Sequence, residues 1–290
     1  MAENLTIRSG DVELVYETWG PPDGPLAVLL HGFPDSATTW RHLGPALAEV
    51  GFRAVAPWMR GYAPSSASAA GVYQTGALAM DAIAIHDQLG GDERAVLVGH
   101  DWGAPGAYGA SVHAPDRWAR VVGMAVPPGP EMATALLVDL DQVRRSWYMF
   151  LFQHPLAEAI VGNDDLAFVD MLWSDWSPGY DATDDLADVK SALRDPANLG
   201  AAVGYYRCAL GTTPPDPSLD DVQRACFAPL VHPARYLHGR DDGCVGADVA
   251  ERARATAGDD VAVEIVDGAG HFLHLERPDV VNAAIVDFLT

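Results

Sequence analysis

The sequence is poor in three things, and each shortage excludes something. Basic residues are few: 18 Lys and Arg stand against 40 Asp and Glu in 290 residues, a formal net charge of −22. A chain this acidic repels a phosphate backbone and an anionic bilayer, so neither nucleic acid nor a membrane surface is expected as a partner. Cysteine is scarce as well. Cys208, Cys226 and Cys244 are odd in number and widely spaced, which fits neither a disulfide framework nor a paired-cysteine metal site, and reduced thiols are expected. Long apolar runs are missing too. No stretch approaches the roughly 18 apolar residues of a membrane span, and MAENLTIRSGDVELVYETWG shows no basic-then-apolar leader, so a soluble, cytoplasmic protein is expected. Asn4, Leu5 and Thr6 spell a glycosylation sequon, which without a secretory signal reads as chance.

What remains is enzyme-sized and rich in core-forming residues, at 49% hydrophobic. Near-continuous apolar runs recur: AVLL at 27–30, RAVAP at 53–57, AVLVG at 95–99, RVVGMAV at 120–126, ARYLH at 234–238 and VAVEIV at 261–266. Runs of this kind are strands covered on both faces. Between two of them, Leu78, Ala82, Ile85 and Leu89 keep the spacing of one buried helix stripe. Strands alternating with helices predict an α/β fold with a doubly wound, mostly parallel sheet.

The alternation stops after Pro127-Pro128-Gly129-Pro130 and resumes near Arg235. SWYMFLFQHPLAEAIV and SALRDPANLGAAVGYYRCAL read as helical, SDWSPGYDATDD and GTTPPDPSLDD as loops. The chain is therefore expected to divide into a core of residues 1–130 and 218–290 and an inserted helical cap of 131–217, with the acidic run at 181–188 a solvated cap loop.

Open α/β sheets bind ligands beyond the carboxyl ends of their strands. Five such ends carry polar residues: LLHGFPDS, PWMRGYAPS, GHDWG, HGRDDGC and GAGHF. The last three supply Asp101, Asp241 or Asp242, and His271, the chain order nucleophile, acid, histidine of the α/β-hydrolase arrangement. An aspartate in a glycine turn is an ordinary turn former when met alone. It is the ordered set that points to catalysis.

HGFPDS, RGYAPS, GHDWG and GHF, with WYMFLFQ and YYR in the insertion, resemble the epoxide hydrolases of the α/β-hydrolase fold, a group that includes the haloalkane dehalogenases, over essentially the whole chain. The resemblance implies displacement at a saturated carbon, and the chemistry agrees. A serine attacking such a carbon would leave an ether, whereas Asp101 leaves an ester that water can cleave. His271 would activate that water and Asp242 would orient the imidazole. The family pattern selects Asp242, three residues after Gly239, over Asp241, and some relatives place the acid where Glu131 stands. The backbone N–H groups of Phe33 and Trp102 would form the oxyanion hole.

The leaving group is decided by the insertion. An opening epoxide needs a proton donor, which a phenol supplies. The resemblance implies Tyr148, five residues before Gln153, and Tyr206 in Tyr205-Tyr206-Arg207, with Tyr205 the alternative one register away. A dehalogenase would instead hold a halide with indoles, for which Trp102, Trp173 and Trp176 are available. Trp102 also stands where haloacid dehalogenases usually carry an arginine, so a small neutral, largely apolar epoxide and water are the expected partners. Ala63 replaces a frequent glycine without touching a catalytic atom.

No cofactor is expected. Gly99, Gly103, Gly106 and Gly109 fit neither nucleotide-binding loop, and His271 with His274 lacks a third metal ligand at suitable spacing. His31 and His100 read as structural. The motifs leave the oligomeric state, the particular epoxide and its enantiomer open.

Overall fold

A computed structural model describes residues 5–290, so Asn4 of the sequon lies outside the described residues. Eight strands among them form one sheet: β1 (Leu5–Ser9), β2 (Val12–Trp19), β3 (Leu26–Leu30), β4 (Arg53–Pro57), β5 (Ala95–His100), β6 (Trp118–Met124), β7 (Ala234–Gly239) and β8 (Val261–Val266). Their order across the sheet is β1-β2-β4-β3-β5-β6-β7-β8. From β4 to β8 every neighbouring pair is parallel. The doubly wound, mostly parallel α/β sheet expected from the apolar runs is what forms, because β3 and β5 are buried at every position and need cover on both faces.

That cover comes from opposite sides. Helices Thr75–Gln88 and Gly103–His113 bury Leu78, Ile85, Ala104 and Ala107 on one face, and helices Leu43–Glu49 and Pro278–Leu289 bury Leu47, Val281 and Ile285 on the other. The antiparallel hairpin β1–β2 at the sheet edge was not among the strands read from the sequence. It turns at Gly10, whose φ of +59° suits glycine.

No strand lies between β6 and β7 among the described residues. Seven helices fill 131–209, from Glu131–Val138 to Pro196–Ala209, and an eighth, Asp220–Ala225, packs back on Thr75–Gln88 and Gly103–His113. Asp195 caps Pro196–Ala209 by accepting from the Ala197 N–H at 2.8 Å, and Asp139 does the same for Leu140–Arg145.

This helical segment is stitched to the loops at the strand ends. The Trp176 carbonyl accepts from the N–H groups of Gly243 (3.1 Å) and His271 (3.0 Å), and the Ser177 hydroxyl accepts from the Phe272 N–H at 3.1 Å. Glycine is required at Gly243 and Gly270, where a Cβ would overlap the carbonyls of Asp175 and Trp176. On the other side Tyr205 donates to the Arg60 carbonyl (2.8 Å) and the Ala63 N–H to the Ala192 carbonyl (3.0 Å). Arg60 itself is held by a buried, two-pronged ion pair with Asp81 at 2.6 and 2.7 Å. No helix of the described residues is long and apolar enough to cross a membrane.

Candidate active site

β5 ends at His100, helix Gly103–His113 begins three residues later, and Asp101 makes the turn at φ +49°. Few side chains occupy that left-handed region without strain, and here it lifts the carboxylate clear of the sheet edge. Glycines make the approach possible: a Cβ on Gly103 would overlap the Leu30 carbonyl, and one on Gly32 would overlap the Asp101 carboxylate. The Phe33 N–H donates to Asp101 Oδ1 at 2.8 Å. Burial raises the Asp101 pKa above the ordinary aspartate value, while His271 and the N–H groups of Phe33 and Trp102 pull against that rise.

The three residues set apart along the chain meet here. His271 Nδ1 lies 2.9 Å from Asp242 Oδ2, and its Nε2, with no other partner, faces Asp101 Oδ2 at 3.8 Å. Burial depresses the imidazole's pKa, but the charges of Asp242 and then Asp101 outweigh it and leave His271 above its usual value. Asp242 is fixed by the N–H groups of Cys244 (2.7 Å) and Val245 (2.9 Å) on Oδ1. Burial opposes ionisation of Asp242, yet His271 holds its pKa below the ordinary range. Asp241 is exposed and Glu131 bonds the Thr256 hydroxyl at 2.9 Å, so neither is beside the histidine.

A cavity of about 270 Å³ opens over Asp101. Tyr148 and Tyr206 both line it, their rings 5.5 Å apart, and the buried Tyr206 hydroxyl has no partner. Burial drives both phenols well above their ordinary pKa, so they keep their protons. Tyr205 points the other way, stacked on Tyr73. Trp102 lines the cavity with its indole N–H unpartnered, but the Trp173 indole donates to the Pro34 carbonyl at 2.8 Å, and neither Trp173 nor Trp176 lines the cavity. The remaining wall is mostly apolar, including Met132, Leu136, Met149 and Phe227, with Thr75 and Gln223 as polar members and Asp101 as the charged residue.

His31 is structural in its contacts: Nε2 accepts from the Met59 N–H at 3.0 Å, and burial pushes its pKa down to about 4. His100 is less idle. Its Nε2 donates to the His271 carbonyl at 2.9 Å, while Nδ1 faces Asp35 Oδ2 at 3.9 Å. His274 joins them, so that three buried donor atoms lie within 4.8 Å of one another. The third ligand that the spacing of His271 and His274 did not supply thus comes from other strand ends, and it meets His274 without His271. His100 braces His271 through that carbonyl, and His274 packs against the His100 ring with its Nε2 2.5 Å from the Thr39 hydroxyl.

Sequence reasoning passed over Cys244, which lines the cavity with its Sγ 3.4 Å from the Tyr148 hydroxyl, and Gln142, which holds the Cys244 carbonyl at 2.9 Å. It also passed over His238, buried 3.9 Å from Asp242. The cysteine count was the only signal for Cys244. All three thiols are free, and all three reach this cavity.

The fold and this constellation define a class: residues 25–278 match the family described as the alpha/beta hydrolase fold, and the chain belongs to it. Within that family it groups with the epoxide hydrolases. Epoxide hydrolase A of Mycobacterium tuberculosis is 30% identical over 93% of this chain and 92% of its own length. The crystal structure of Epoxide Hydrolase A from Mycobacterium thermoresistibile is similar with a TM-score of 0.78 and 28% identity, covering 99% of this chain and 98% of that one. An epoxide hydrolase from hot-environment metagenomes gives a TM-score of 0.82 at 26% identity, over 100% and 99% of the two chains.

Proposed function

We propose that the chain converts a small, neutral, largely apolar epoxide to a vicinal diol through a covalent ester on Asp101. The observation that carries this reading is the pair of phenols, Tyr148 and Tyr206, facing the same cavity as a carboxylate backed by His271 and Asp242.

In the first step an Asp101 oxygen bonds to a ring carbon, the ring C–O bond breaks, and its electron pair goes to the ring oxygen. That oxygen takes a proton from a tyrosine, leaving a tyrosinate. In the second step His271 removes a proton from water and the hydroxide adds to the Asp101 ester carbonyl. Phe33 and Trp102 hold the resulting oxyanion, a contribution of about 10² to 10³ in rate for such donors. The intermediate expels the diol oxygen, which takes the proton of the newly formed carboxylic acid. The proton on His271 returns to the tyrosinate, and one water has been consumed.

Esterification also removes the negative charge that Asp101 presents to His271. The imidazole then loses one of the influences raising its pKa and becomes available as a base at the moment it is needed. The helices of 131–217 act in this scheme as a cap that carries the phenols. Dehalogenation is the weaker reading, because of the two indoles it calls for only Trp102 is free in the cavity.

The test is a single turnover in ¹⁸O-water with a panel of aryl and alkyl epoxides. Label is expected in the peptide containing Asp101 and not in the diol. Label in the diol alone would mean direct attack by water, and halide release from haloalkanes without diol from any epoxide would replace this reading with the dehalogenase one.

A further inference from the structure

The Cys244 side chain does something that packing alone does not ask for. Its backbone is fixed on both sides, the N–H to Asp242 at 2.7 Å and the carbonyl to Gln142 at 2.9 Å, so the direction of the side chain is set by the loop that carries the triad acid. That direction is into the cavity, where Sγ meets the Tyr148 hydroxyl at 3.4 Å. The residue is buried at 2% exposure. The Tyr148 ring is packed among aromatics, the ring centres of Trp176, Phe152 and Tyr206 lying 5.0 to 5.6 Å from its own. A phenol that gives up its proton there would develop charge in largely apolar surroundings, and the polar groups within its reach are the thiol and the Tyr206 hydroxyl.

We infer that Cys244 is a positioning residue for ring opening: its S–H donates to the Tyr148 oxygen while Tyr148 passes its own proton to the epoxide oxygen. This rests on the reading of Tyr148 as a ring-opening donor. No proton leaves sulfur. Without substrate either atom of the pair can donate. With the phenol proton turned to the ring oxygen, the thiol hydrogen faces the phenol oxygen, and the bond strengthens as negative charge gathers there. Burial, with Asp242 and Asp101 nearby, keeps the thiol protonated. It is therefore a donor, and no thiolate competes with Asp101 for the epoxide carbon.

The contact acts on one step only. Tyr148 gives its proton during alkylation and regains it only after the Asp101 ester has been hydrolysed. The experiment is rapid-quench measurement of alkyl-enzyme formation and of ester hydrolysis in full-length wild type, Cys244→Ala, Cys244→Val, Cys244→Ser and Tyr148→Phe. A net hydrogen bond of ordinary strength corresponds to a loss of about three- to tenfold in the alkylation rate for Cys244→Ala and Cys244→Val. The ester-hydrolysis rate should stay within about twofold of wild type, and Cys244→Ser should recover most of the loss through its hydroxyl. In a Tyr148→Phe background, Cys244→Ala should cost nothing further, as expected for coupled residues.

Alkylation unchanged in Cys244→Ala and Cys244→Val, with Tyr148→Phe impaired, would overturn this inference and leave the ring-opening scheme standing. An undiminished effect of Cys244→Ala in the Tyr148→Phe background would overturn it in the same way, by assigning Cys244 to packing. Full alkylation by Tyr148→Phe would overturn this inference too, and would leave Tyr206 as the ring-opening donor.

Discussion

In the proposed scheme a buried carboxylate must react as an anion, and this governs the acid side of the site. Burial raises the Asp101 pKa above the ordinary value of 3.8, and only the ionised form attacks carbon. Alkylation is therefore lost as pH falls, at a higher pH than an exposed aspartate would give. Pre-steady-state alkylation rates against pH should show this limb above 3.8, and a limb at or below that value would contradict the assignment. The buried phenols add no alkaline limb below their ordinary pKa of 10, because both are shifted upward. His271→Gln should alkylate and then stall, with turnover down by at least about 10²-fold and intact mass raised by one epoxide. An unmodified mass after incubation would break the two-step scheme. At this scale the sequence was informative wherever a residue sits in a strand-end motif: the patterns naming Asp101, Asp242 and His271 name groups that meet within hydrogen-bonding or near-contact distance. Cys244 escaped because its meeting with Tyr148 depends on how two distant loops pack, and no local spacing encodes that.

Elements were legible in proportion to how completely they are buried. The central strands β3 and β5 are apolar throughout and bounded by turn residues, so their runs stood out. The edge hairpin β1–β2 alternates between core and solvent over a few residues each, a pattern that charged positions such as Arg8, Glu13 and Glu17 dilute. The contacts between the helical segment and the strand-end loops were not legible either, since most of them end on a backbone atom far away in the chain. Gly243 and Gly270 mark two of these close approaches in the sequence. Gly243→Ala would place a methyl group on the Asp175 carbonyl and drive the acid loop away from the segment. It should destabilise the protein by about 1–3 kcal/mol, the usual cost of overpacking. Because Asp242 is on the same loop, hydrolysis of the ester should slow more than its formation. Thermal melting and rapid-quench rates would check the two effects separately, and an unchanged melting temperature would show that the loop yields freely.

At the scale of the whole molecule, a net charge of −22 surrounds a cavity whose one charged residue is itself an acid. Neutral epoxides should therefore show kcat/KM insensitive to salt. An epoxide bearing a carboxylate should react poorly in 10 mM salt and improve severalfold by about 150 mM, as the Debye length contracts from about 30 to 8 Å. Steady-state rates across that range test it, and a charged substrate indifferent to salt would place its path away from the acidic surface.

The double use of the Trp176 carbonyl, which ties down one loop bearing Asp242 and another bearing His271, bears on how such an enzyme can be remodelled. Grafting residues 131–217 from a relative onto this sheet would import new pocket walls together with a foreign grip on the loops of Asp242 and His271. A workable graft boundary therefore includes 239–246 and 268–277 along with the helices. Variation in substrate range is most readily gained from side chains facing the cavity, with the segment that bears them kept in its native attachment.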